Sequence, residues 1–179
     1  MRIIAGTNKG ARIFAPKGHD TRPTSDRARE AAFNLIGPVD GATVLDLFAG
    51  SGAMGLEALS RGAASAVFVE SDREALRAID RNLDKLRLTG ARVIPQKALR
   101  ALAAETAAGR RYDLVLVDPP YEMFFSLQTG LSRYLPAVLA DDGLVVVETA
   151  QREEPELPPL HKRTTRRYGR ARITIFENL

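Results

Sequence analysis

No cysteine occurs among the 179 residues, which excludes disulfides, thiolate nucleophiles, cysteine zinc sites and iron-sulfur clusters. Histidine is nearly absent too. His19 and His161 lie far apart in polar stretches, with no second ligand spaced for a metal, so both read as surface residues and no metal site is expected. No apolar run reaches the roughly 18 residues needed to span a bilayer. The opening Met1-Arg2-Ile3-Ile4-Ala5-Gly6 also lacks the apolar segment of a secretion signal, so a cytoplasmic location without membrane attachment is expected. Internal repeats are missing, and the only stretch that reads as a low-complexity linker is residues 153–159, a polar, proline-containing connection.

What is present is ordinary for a globular chain: 45% hydrophobic and 27% charged residues. The length suits one domain over residues 1–179, with 1–40 as an N-terminal extension and 41–179 as a catalytic sheet. The formal net charge is only +4, but basic residues gather in residues 2–29 and 161–172. Each cluster is either a solvated face or a phosphate-binding surface.

From Thr43 onward, short β-rich runs alternate with amphipathic helices: TVLDLF, GLEALSRGA, AVFVE, a long charged helix, ARVIP, a helix over 99–108, YDLVLV, a helix within 125–139, and GLVVVE. That rhythm predicts a parallel sheet in an α/β fold. The long helix opens on a capping box at Ser71-Asp72-Arg73-Glu74 and sets Leu76, Ile79, Leu83 and Leu86 on one face as core. Residues 162–167 and 171–176 flank Tyr168-Gly169-Arg170 and read as an antiparallel hairpin closing a sheet edge. Ahead of Thr43, residues 2–14 read as a hairpin turning at Asn8-Lys9-Gly10. Residues 25–36 read as a helix whose apolar face is Ala28, Ala32, Leu35 and Ile36.

Two strand ends carry chemistry. In Asp46-Leu47-Phe48-Ala49-Gly50-Ser51-Gly52-Ala53-Met54-Gly55 the glycines fit G-x-G-x-x-G, and Glu70 stands 20 residues beyond Gly50 at the end of the next strand, placed to grip a ribose diol. Asp46 lies four residues before the first glycine. A carboxylate there opposes a pyrophosphate and suits the cationic sulfonium of S-adenosylmethionine, unless it merely caps the loop. The second strand end is Val115-Leu116-Val117-Asp118-Pro119-Pro120-Tyr121. Pro119 and Pro120 end the strand rigidly and offer no backbone N–H, so the site is rich in acceptors. Asp118 and the Pro119 carbonyl can accept both hydrogens of an exocyclic amine while Tyr121 stacks on its ring. Two acceptors favour a pyramidal nitrogen and stabilise the charge that grows on it during methyl transfer.

The D-P-P-Y strand end and L-D-L-F-A-G-S-G-A-M-G-L-E-A-L-S-R-G-A together resemble class I amino-methyltransferases. Arg22-Pro23-Thr24-Ser25-Asp26-Arg27-Ala28-Arg29-Glu30 and Arg2-Ile3-Ile4-Ala5-Gly6 narrow the resemblance to the RsmD family, bacterial 16S rRNA guanine-N2 methyltransferases. It implies a Rossmann-like, seven-stranded, mostly parallel sheet ordered 3-2-1-4-5-7-6, with helices on both faces. It also implies S-adenosylmethionine as cofactor and a monomer acting on the guanine at position 966, in a 30S subunit or assembly intermediate. In such an enzyme Thr24, Arg29 and Phe33 lie near the methionine end, Asp46, Phe48, Gly50 and Gly52 beneath the cofactor, and Glu70 on its ribose. Ala98 offers its backbone to the adenine, where the chain reads Gln96-Lys97-Ala98 in place of the usual acidic or amide side chain. Asp118, Pro119, Pro120 and Tyr121 hold the target guanine, and Arg2, Lys9, Arg12, Arg22, Arg166 and Arg167 meet RNA.

Three rivals remain at this point. An adenine-N6 DNA methyltransferase shares the acceptor motif but usually adds a recognition module. A non-catalytic RNA-binding assembly factor would carry a spoiled acceptor motif. A dehydrogenase is opposed by Asp46. Cytosine-C5 methylation in its usual form needs the missing cysteine.

Overall fold

The computed structural model describes residues 1–16 and 26–178. Its centre is a seven-stranded sheet in the order β3-β2-β1-β4-β5-β7-β6, as the resemblance implied. The strands are β1 (Thr43–Asp46), β2 (Ser65–Val69), β3 (Ala91–Ile94), β4 (Tyr112–Val117), β5 (Leu139–Ala150), β6 (His161–Tyr168) and β7 (Ala171–Glu177). The first five pair in parallel, and their near-continuous apolar runs reflect cover on both faces.

Side chains alternate across the sheet, so each strand feeds two cores. Val44, Phe68, Leu114, Leu116, Val146 and Ile173 pack under α1 (Asp26–Ile36), α2 (Ala53–Ser60) and α3 (Arg73–Leu86). Leu45, Val67, Val115, Val117, Val147 and Phe176 pack under α4 (Ala98–Ala107) and α5 (Phe124–Val138). The same parity sends Asp46, Asp118 and Glu148 toward the α1–α2 side.

β7 runs antiparallel to β5, with Glu148 opposite Ile173 and Ala150 opposite Ala171. β6 in turn sets Arg166 opposite Ile173. The turn between β6 and β7, at Gly169 with φ 58°, therefore lies at the edge of the sheet where the parallel strands end.

Two local expectations change in detail. The long helix is capped by Asp72, which accepts from Ala75 N at 2.9 Å, one residue later than the box expected from Ser71. The expected N-terminal hairpin is present but irregular, with one antiparallel bridge between Arg2 and Arg12 in place of two regular strands. Ile3 N donates to Ala11 O and Gly10 N to Ile3 O, both at 2.9 Å, and the tip also reaches α2, where Thr7 N donates to Ser60 O at 2.8 Å and Asn8 N to Ser60 Oγ at 3.0 Å. Gly6 makes that approach possible, since a Cβ there would lie 1.7 Å from Ser60 O. The helix expected over 25–36 is observed as α1 over Asp26–Ile36, with Ser25 outside the described residues.

Two buried polar residues fasten this extension. Glu57 of α2 has no exposed surface and accepts from Ile4 N, Ala5 N, Arg29 Nε and Arg61 Nε. Asn82 of α3 accepts from Phe14 N at 2.6 Å and donates to both Phe14 O and Ser51 O at 3.0 Å, tying the extension to the glycine loop.

Candidate active site

The crevice at the ends of β1, β4 and β5 collects the carboxylates. Val117 pairs with Val147, so Asp118 and Glu148 follow side by side on adjacent strands. Both line one small cavity with Ala32, Met54, Leu116 and Val146. Tyr121 Oη donates to Glu148 Oε1 at 3.2 Å, which fixes the ring beside the two acids. Pro119 is buried, and beyond Pro120 the chain enters a short 3-10 turn over Tyr121–Met123, closed by Met123 N on Pro120 O at 2.8 Å. Glu148 was not among the expected site residues. The signal was available, because GLVVVE ends a buried apolar run in a carboxylate just as VLVD does.

The glycine loop is shaped for close approach. Gly50 and Gly52 have φ of 55° and 82°, and Gly52 starts α2 from the left-handed region. Gly55 lets α2 settle on β2, since a Cβ there would lie 2.4 Å from the Phe68 ring. Glu70 braces the loop: Oε2 accepts from Gly50 N at 2.9 Å, and Oε1 accepts from Ser71 N at 2.7 Å and Asp72 N at 2.9 Å. Asp46 is 1% exposed and accepts from Gly55 N at 3.1 Å. Its carboxyl is pushed up to about 7, chiefly by burial, with the charges of Asp118 and Glu70 adding and the N–H groups of Gly55 and Phe48 opposing. It caps the loop and, once ionised, is a buried anion that suits a cation.

The remaining expected residues divide. Phe48 is half-buried against the α4–α5 core and gives Asp46 its N–H. Ala98 opens α4, where its N–H is among those with no intrahelical acceptor, while Lys97 makes no capping bond.

Two expected cofactor contacts lie elsewhere. Arg29 is fully buried, with Nε on Glu57 at 3.3 Å and Nη2 on Asp26 and the Arg2 carbonyl, so it shows no surface to a ligand. It joins α1 to α2. Phe33 lies under the Arg61 guanidinium, 4.7 Å from the ring centroid, at the far end of α2 from the glycine loop.

Thr24 and Arg22 lie outside the described residues, as does His19. Arg2, Lys9 and Arg12 are exposed on the extension, and Arg166 and Arg167 on β6. Other members of the second basic cluster are tied down: Lys162 to Glu154 and Glu156, and Arg172 to the Gln151 carbonyl.

A family model described as Conserved hypothetical protein 95 matches residues 1–177. Ribosomal RNA small subunit methyltransferase D of Escherichia coli (strain K12) is 41% identical over 150 residues, covering 83% of this chain and 74% of that one. The chain belongs to the RsmD family of methyltransferases. YlbH of Bacillus subtilis (strain 168) is 42% identical over 162 residues, 88% of this chain and 86% of its own. The solved structure of YhhF from Escherichia coli superposes with a TM-score of 0.84 at 35% identity, covering 99% of this RsmD-family chain and 97% of that one. Among the described residues no helix is long and apolar enough to cross a membrane.

Proposed function

We propose that the chain methylates the exocyclic N2 of a guanine in 16S rRNA, at the position numbered 966, presented by a 30S subunit or an assembly intermediate, with S-adenosylmethionine as methyl donor. One observation carries the reading: Asp118 and Glu148 line one small cavity, Tyr121 is anchored on Glu148, and the Asp118 charge acts on Asp46, the buried carboxyl that holds the glycine loop through Gly55 N. The names of the Escherichia coli relatives support rRNA as substrate.

The residues fit this donor. The loop lets a nucleoside approach the backbone, Glu70 stands over it, and three nearby acidic groups favour a cation and oppose a pyrophosphate. When bound, the donor supplies a methyl group on a positively charged sulfur that departs as a neutral thioether. Asp118 and the Pro119 carbonyl accept the amine hydrogens, which draws the nitrogen lone pair out of the ring and toward the methyl carbon. Tyr121 holds the ring in line, and Asp118 relays the released proton to water. No strong base is needed, because the methylated nitrogen is acidic until that proton leaves.

A tritiated-methyl assay on 30S particles, free 16S rRNA and DNA, followed by mass-spectrometric mapping, tests the reading. Label is expected on N2-methylguanine in 16S rRNA. Label confined to DNA, or none on any substrate, overturns it.

Asp46 gives a pH-dependent check. The unfolded carboxyl titrates near 3.8 and the folded one near 7, so between these values the folded chain holds a proton the unfolded chain has released. Stability therefore falls as pH rises through that window. Asp46→Asn should raise stability at pH 8 by about 2 kcal/mol, several degrees in Tm, and change little at pH 4. The same variant should weaken donor binding at pH 8 by at least about tenfold, because the cation loses its counter-charge. A lower Tm at pH 8 would show that ionised Asp46 is not a buried cost.

The β6–β7 turn lies at the catalytic edge, with Arg166 two strands from Glu148. Replacing Lys9, Arg12, Arg166 and Arg167 with alanine should raise the RNA KM and flatten its salt dependence by about one unit of log–log slope per lost phosphate contact. An unchanged slope would return these residues to a solvated face.

A further inference from the structure

Neither the glycine loop nor the D-P-P-Y motif gives Glu148 a role, yet it shares a cavity wall with Asp118 and holds the Tyr121 hydroxyl. We propose that Glu148 reads the Watson–Crick edge of the target base beside Asp118 and selects guanine, an inference that rests on the guanine-methylation reading above.

The chemistry of the edge is the argument. A carboxylate only accepts hydrogen bonds. In guanine the reactive amine at N2 is flanked by N1–H, a donor, and by N3. In adenine the amine at N6 is flanked by lone pairs on both sides, at N1 and N7. An acceptor beside the amine-binding group therefore binds guanine and repels adenine in either orientation.

Glu148 occupies that place. Asp118 and Glu148 directly follow the paired Val117 and Val147, so their backbones are about one interstrand spacing, ~4.8 Å, apart. Strand parity turns both toward the α1–α2 side, where they meet the same cavity. Asp118 addresses the amine and Glu148 the adjacent ring nitrogen. The bond from Tyr121 Oη fixes the Glu148 carboxylate and links base stacking to edge reading in one unit. The apolar neighbours Leu116, Val146 and Ile173 keep the floor of the pocket dry, which sharpens discrimination, because a polar group left unpaired there is costly.

The test uses 2-aminopurine, which keeps the exocyclic 2-amino group but carries a lone pair at N1. After mapping has located the methylated guanine, 16S rRNA made by splinted ligation with guanine or 2-aminopurine at that position is assembled into 30S particles. Methyl transfer to each is then measured with the full-length protein. Wild type should prefer guanine by about 100-fold or more in kcat/KM, as expected for a site built to bond an N–H that the analogue lacks. Glu148→Gln can turn an amide N–H toward the N1 lone pair and should lower that preference at least about tenfold, with the donor KM unchanged.

Wild-type rates within about threefold of each other would overturn the proposal, and so would a variant that loses activity equally on both bases. The wild-type ratio decides the matter alone where the variant folds poorly. Failure to methylate guanine at all would instead overturn the parent reading, and the inference with it.

Discussion

Asp118→Ala is expected to lower kcat for methyl transfer by about 10³-fold while leaving donor affinity within about threefold, measured by single-turnover kinetics and calorimetry. Asp118 follows β4 and lines the pocket proposed for the incoming amine, whereas the loop contacts involve Asp46, Gly50 and Glu70. Its removal takes away one of two acceptors that act most strongly as charge develops on nitrogen, so the loss falls on kcat. Asp118→Asn keeps one acceptor oxygen and should retain considerably more activity. A second readout follows from charge. Asp118 helps push the Asp46 carboxyl up, so its removal lets Asp46 ionise at lower pH and should move the pH dependence of donor binding downward. Loss of donor binding in Asp118→Ala would move Asp118 out of the amine pocket and into the donor site.

Glu57→Ala should destabilise the fold by about 3–5 kcal/mol, a large share of the roughly 5–15 kcal/mol that holds a typical protein together. Glu57 is buried, and its two oxygens take the Nε groups of Arg29 and Arg61 and the backbone N–H groups of Ile4 and Ala5. Truncation strands all four donors, and Arg29 has no exposed surface through which water could replace the lost carboxylate. For a chain of this size the effect on Tm is about 10 °C, and chemical denaturation gives the free energy directly. The double variant Arg29→Leu with Glu57→Leu should recover much of the loss, because it removes both charges together. A shift below about 1 kcal/mol for Glu57→Ala would mean that the pair is hydrated in solution.

These two residues also show what a sequence can disclose. Asp118 ends an apolar run ahead of two prolines, and that local pattern places it at a strand's carboxyl end without any knowledge of the rest of the chain. The Gly50 loop and the strand–helix alternation are equally local, and with them most of the sheet was legible. Arg29 and Glu57 are separated by 28 residues and lie on different helices, so neither periodicity nor spacing reveals that each cancels the other's burial cost. The resemblance put Arg29 near the methionine end of the cofactor, and nothing in the sequence pointed to Glu57 as its partner.

The partner of Phe33 was equally hidden, since its ring lies under Arg61, 28 residues away. The N-terminal hairpin was legible as a hairpin, but its docking on Ser60 through Gly6 joins residues more than 50 apart and could not be read locally. Glu148 is the opposite case: its strand-end pattern was visible, but its pairing with Asp118 depends on β5 lying next to β4, a fact of sheet order.

The reversal of β7 has an engineering consequence. A wholly parallel sheet would deliver each successive turn to alternating ends, but here the closing hairpin projects its tip beside the chemistry while its strands merely seal the edge. Longer loops could be grafted between Tyr168 and Ala171 to read a different RNA contour, with the methyl-transfer machinery left untouched. Affinity for the scaffold and chemistry on the base could then be diversified separately.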